Sequence, residues 1–84
     1  MSSVHTPEYQ FMLQRLQDAR EELELTQQQV ADALEKKQSF VSKCETGERR
    51  VDVIELARFA ALYGKPLSYF LPTTFRPPGK TLRR

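Results

Sequence analysis

At 84 residues with 39% hydrophobic side chains, the chain has room for one small domain around a modest core and for no cleft between domains. Its single cysteine, Cys44, excludes an internal disulfide, and one histidine, His5, leaves no ligand set for a zinc site; no cofactor is expected. Nowhere do roughly 18 apolar residues run together, and the N-terminus lacks the charged-then-apolar order of a secretory signal, so no membrane partner and a cytoplasmic location are expected.

The net charge of +2 is unevenly spread. Residues 1–25 set Arg15 and Arg20 against Glu8, Asp18, Glu21, Glu22 and Glu24, whereas residues 72–84 carry Arg76, Lys80, Arg83 and Arg84 with no acid. Such asymmetry fits either an anionic partner on one side or a solvated tail.

In chain order, residues 1–6 form an arm that ends in Thr6-Pro7, an N-cap followed by proline at the first helical position, where the missing N–H costs nothing. Met12, Leu16, Ala19 and Leu23 then share one face of a first helix, predicted to be core. Thr26 with Gln29 has the form of a capping box and opens a second helix over 27–34 that buries Val30, Ala31 and Leu34. Glu35, Lys36 and Lys37 leave room for a tight turn between crossed helices, and a third helix follows over 38–46, stopped by Gly47. Asp52 and Glu55 repeat the capping-box form ahead of a fourth helix whose Leu56, Phe59, Ala60 and Tyr63 fall at helical spacing, with Gly64 as its stop. Pro66 opens a predicted fifth short helix, PLSYFL, which Pro72 closes. The remainder, 72–84, reads as a basic extended tail that either lies on phosphates or is a linker. The domain is thus 7–71, all-α, with five helices.

The third helix, QSFVSKCET, turns Val41 and Cys44 inward and projects Gln38, Ser39, Ser42, Lys43 and Thr46 together. Gln bonds adenine bidentately in the major groove, Lys donates to guanine, and Ser serves either base. Lys36 and Lys37 precede this set and Arg49 and Arg50 follow it, which matches the division between phosphate contacts that position and base contacts that specify. No acid–base or metal constellation accompanies it, so an enzyme is not expected.

Residues 25–64, LTQQQVADALEKKQSFVSKCETGERRVDVIELARFAALYG, resemble the helix-turn-helix domain of the phage lambda and 434 repressor and Cro family, the XRE-type regulators. With the Leu16, Ala19 and Arg20 pattern and the PLSYFL segment, the resemblance spans about residues 8–71. It implies a lambda repressor-like fold and a double-stranded DNA partner. Gln38, Ser39, Ser42 and Lys43 would meet bases; Gln27, Thr46, Arg49 and Arg50 would meet phosphates, with Gln27 also bracing Gln38. Arg20 and Glu45 match a structural ion pair. Two departures stand out. Glu35 occupies a turn position usually held by glycine, where a left-handed residue costs about 1 kcal/mol or more. Lys37 replaces the usual cap of the third helix, giving up about 1 kcal/mol and placing a cation where the helix dipole disfavours it, which a nearby phosphate would offset. Lys37 is therefore counted among the phosphate contacts.

Phe40, at the edge of this face, either touches a thymine methyl or packs partly buried. Cys44 is expected in the core as a small hydrophobe. The aromatics Phe59, Tyr63, Tyr69, Phe70 and Phe75 exceed what so small a core is expected to bury, and the surplus would mark a homodimer surface in the C-terminal helices, removable by truncation after Pro66. The expected function is a transcriptional regulator, a repressor type, binding a palindromic operator. Rivals with the same fold are the antitoxin of a toxin–antitoxin operon, with a small toxin as partner, and a restriction–modification controller protein; a rival of another class is a protein-interaction module that has lost DNA binding.

Overall fold

The computed structural model describes residues 6–73, which fold as α1 (Pro7–Glu22), α2 (Gln27–Leu34), α3 (Gln38–Thr46) and α4 (Val53–Tyr63), followed by one 3-10 turn (Leu67–Phe70). The described residues contain no strand.

The predicted starts hold in detail. Thr6 caps α1 by accepting from the Tyr9 amide at 3.1 Å, with Pro7 in the first turn. Both capping boxes close: Thr26 and Gln29 exchange bonds of 3.0 and 2.8 Å at α2, and Asp52 and Glu55 bonds of 2.7 and 3.1 Å at α4. Each satisfies two amides that a helix start otherwise leaves without partners.

Helix ends show what composition alone conceals. Three helices finish in the same paired closure: Leu25 and Glu24 donate back to Arg20 and Glu21, Lys36 and Glu35 to Ala31 and Asp32, Lys65 and Gly64 to Ala60 and Ala61. The closure needs a left-handed residue, supplied by Gly64 at φ 69° but by glutamates at the other two sites, Glu24 at 56° and Glu35 at 58°. Glu35 thus adopts the conformation that glycine would fill without strain. Gly47, at φ 85°, ends α3, and a Cβ there would stand 3.0 Å from Leu13 Cδ1.

The core gathers Met12, Leu13, Leu16 and Ala19 of α1, Val30 and Ala31 of α2, Val41 and Cys44 of α3, Leu56, Phe59, Ala60 and Tyr63 of α4, and Phe70. Cys44 is fully buried and its thiol is pushed up to about 11 by desolvation, as befits an inert core residue. The Tyr9 hydroxyl accepts from the Val51 amide at 2.8 Å and so ties the loop after α3 to α1.

Four expectations need correction. The predicted fifth helix is a single 3-10 turn, because Pro66 and Pro72 bracket too few residues for an α-helical ladder; Tyr69 and Leu71 donate instead to Pro66 and Ser68, three residues back, and Leu71 is already extended ahead of Pro72. Leu23 is exposed rather than core, because α1 stops at Glu22 and the left-handed Glu24 turns the chain away. Leu34, at the last position of α2, is half-buried. The aromatics are largely accommodated: Phe59, Tyr63 and Phe70 are buried, Tyr69 is half-buried over Lys65 and Arg15, and Phe75 lies outside the described residues. The apolar surplus is aliphatic instead, at Val53, Ile54, Leu67 and Leu71. Truncation after Pro66 would remove Phe70, which is 0% exposed, and so would break the core itself. The arm at 1–5 and most of the tail, 74–84, also lie outside the described residues.

Candidate nucleic-acid interface

The turn between α2 and α3 is Glu35, Lys36 and Lys37, and its left-handed Glu35 sets the two helices across one another. Val41, Cys44 and Glu45 anchor α3 on the core. Gln38, Ser39, Lys43 and Thr46 are exposed and Ser42 is half-buried, so the polar set read from the sequence does share the outer side of α3.

The deepest polar group beneath that side is Glu45, 3% exposed. Arg20 approaches it as a fork, Nε donating to Oε2 at 2.7 Å and Nη2 to Oε1 at 3.1 Å, while Nη1 donates to the Leu25 carbonyl at 2.9 Å. Hydrogen bonding to Glu45 raises the Arg20 guanidinium above its ordinary value, so the charge is permanent. The expected Arg20–Glu45 pair is therefore present. Gln17 adds a bond of 3.2 Å from Nε2 to the Glu45 carbonyl, tying α1 to the end of α3.

From Glu45 the bonding continues outward. Gln27 Nε2 donates to Glu45 Oε1 at 3.0 Å, and Gln38 Nε2 donates to Gln27 Oε1. Gln27, half-buried at the start of α2, is the link between a buried charge and the first exposed side chain of α3.

The basic residues are held differently. Lys37 occupies the N-cap of α3 with extended backbone and makes no side-chain cap bond; the Phe40 amide donates instead to the Lys37 carbonyl at 2.9 Å. Arg50 is exposed. Arg49 is engaged: Nη1 and Nη2 reach the Glu55 carboxylate at 2.8 and 2.9 Å, and the guanidinium lies over the Phe40 ring at 4.8 Å from its centre. Hydrogen bonding from Arg49 holds the Glu55 carboxyl below its ordinary value, and Glu55 correspondingly raises Arg49. Lys36 Nζ stands 5.2 Å from the Phe40 ring centre, and Phe40 in turn stacks on Phe59 at 6.3 Å, nearly parallel. Phe40 is thus half-buried packing that carries two cations, and Thr46 closes the far end of α3 through a 3.3 Å bond to the Lys43 carbonyl.

The Phe40 platform and the Arg49–Glu55 clamp were not foreseen. Glu55 gives one local signal, its capping-box spacing from Asp52; its second partner comes from a loop whose path no spacing rule encodes. The groove beside Phe40, lined also by Leu34, Ile54, Arg58 and Phe59, has a volume of about 220 Å³. That is below the roughly 300–1,000 Å³ of small-molecule sites. Among the described residues no cluster of His, Cys, Asp or Glu could hold a metal ion, and no helix is long and apolar enough to cross a membrane.

The helix-turn-helix family model matches residues 16–70, well over half of the chain. The chain belongs to the XRE-type helix-turn-helix family of DNA-binding proteins. No curated protein matches it significantly. The matched span runs from Leu16 to Phe70 and so contains the Arg20–Glu45 pair, the Gln27–Gln38 bridge and the 3-10 turn.

Proposed function

We propose that this helix-turn-helix protein is a sequence-specific transcriptional regulator that occupies a palindromic operator as a homodimer, acting by binding alone, without catalysis or cofactor. The observation that carries this reading is a hydrogen-bonding face, Gln38, Ser39 and Lys43, on the outside of a helix whose first reader is braced from the core. In this reading α3 enters the major groove, Gln38 reads adenine, Lys43 reads guanine, and Ser39 and Ser42 adapt to either. Gln27, Lys37, Arg50 and the backbone near Thr46 contact phosphate, while Arg49 must share its charge between phosphate and Glu55.

Leu67 and Leu71, exposed on the C-terminal turn, support pairing of two copies there. A two-fold pair places its recognition helices about 34 Å apart, one turn of DNA. Because truncation would also remove Phe70, the better probe is Leu67→Ser with Leu71→Ser, expected to give a folded monomer that binds far more weakly.

Selection of duplexes from a random-sequence library at near-physiological salt tests the whole reading. A palindromic motif is expected. Retention without a motif would mean phosphate-driven binding, and no retention would favour a protein-interaction role.

A further inference from the structure

The geometry points to Glu45, a buried residue that touches no DNA in the proposed mode, as the group that sets which base Gln38 prefers. This rests on the DNA-reading role proposed above and assigns Glu45 a positioning part in specificity.

The bond directions are dictated by chemistry. A carboxylate bonded to arginine has only oxygens to offer, so the Gln27 amide, 3.0 Å from Glu45 Oε1, must turn its NH2 inward. Its carbonyl oxygen then faces outward, toward Gln38. Gln38 must meet that oxygen with an N–H, and its Nε2 is the atom in contact. What remains on Gln38 is one N–H beside one carbonyl oxygen. That pair is complementary to adenine, which offers N7 as acceptor and N6 as donor, and mismatched to guanine, whose O6 and N7 both accept.

A freely rotating glutamine could turn its amide over and offer N–H groups to guanine instead. Here reversal would set the Gln38 carbonyl against the Gln27 carbonyl, and relieving that clash by turning Gln27 would set a carbonyl against the Glu45 carboxylate. The root cannot turn, because the Arg20 fork holds both Glu45 oxygens. Two amide links thus transmit the sign of one buried charge to the protein surface.

Glu45→Gln tests this. Arg20 would claim the single oxygen of the new amide, whose NH2 would face Gln27 and reverse both amides in turn. The readout is the ratio of affinities for adenine and guanine at the half-site position facing Gln38, at fixed salt. The wild type should favour adenine by roughly tenfold or more, and Glu45→Gln should remove most of that preference. A purely structural role would weaken both duplexes equally and leave the ratio unchanged, which would overturn the proposal while leaving DNA reading intact. If the wild type itself shows no base preference, the DNA-reading role falls and this inference with it. Because Glu45→Gln strains a buried pair, the double change Arg20→Met with Glu45→Met provides a second variant, since replacing a whole buried ion pair with apolar side chains is often neutral or stabilising. It leaves Gln27 without its fixed acceptor and should lower the same ratio; an unchanged ratio in this folded variant also overturns the proposal.

Discussion

The two ends of α3 hold their polar side chains by opposite means. At the N-terminal end Gln38 is tied through Gln27 to an ion pair whose carboxylate side chain is only 2% exposed. Beyond the C-terminal end Arg49 is tied to Glu55 and to a ring face, with 43% of its own side chain in solvent. The first arrangement fixes orientation, because the carboxylate at its root only accepts and each amide in turn must direct its NH2 inward. The second stores a cation beside the outer face of α3 without committing it, because an exposed pair is weak and is screened by salt. A base reader gains from the former, since a misdirected amide reads the wrong base. A phosphate contact gains from the latter, since charge matters more than direction.

This contrast is most strongly challenged at its buried root. Glu45→Ala leaves Arg20 without its partner in the interior and should cost about 3–5 kcal/mol, measured by urea denaturation; a loss under 1 kcal/mol would mean the pair carries little of the fold. Lys37→Ser gives α3 a normal cap, expected to add about 0.5–1 kcal/mol of stability. It should also weaken DNA binding and reduce the slope of log affinity against log salt by about one contact. If affinity and slope stay unchanged while stability rises, Lys37 is not a phosphate contact.

Smaller effects are expected at the turn and at the clamp. Glu35→Gly relieves a left-handed side chain and should raise stability by up to about 1 kcal/mol, read as a higher melting temperature with DNA contacts intact. Glu55→Gln addresses the exposed end. Because Arg49 depresses the Glu55 carboxyl, its contribution is fully present above the ordinary carboxylate value and is lost as pH falls through the lower native value. The stability gap between wild type and Glu55→Gln should therefore be widest near neutral pH and narrow in acid. A gap that is flat with pH would show that the clamp contributes through packing on Phe40 alone.

Much of this was legible in the chain because the signals are local. Thr26 with Gln29 and Asp52 with Glu55 mark their helix starts through bonds that close within a turn, and Gly47 ends α3 by taking the left-handed backbone that glycine favours. The outer face of α3 follows from helical period once Val41 and Cys44 are placed inside. Leu23 misled because periodicity continues past the point where a left-handed glutamate ends the helix, and nothing in a glutamate announces that conformation. The short C-terminal helix misled because proline spacing fixes where a segment begins and ends but leaves open how tightly it winds. Arg49 reads as a free cation in sequence, whereas its partner Glu55 comes near only after the loop has folded back over Phe40. The Arg20–Glu45 pair joins residues far apart in the chain; family resemblance revealed it where spacing alone did not.

The most direct test of the braced reader compares wild type and Gln38→Ala on the selected operator and on a scrambled duplex, across a series of salt concentrations. Gln38→Ala should lose affinity for the operator by roughly tenfold or more, with binding to the scrambled duplex and both salt slopes unchanged. Equal losses on the two duplexes, or no loss on either, would contradict a sequence reader at the head of α3.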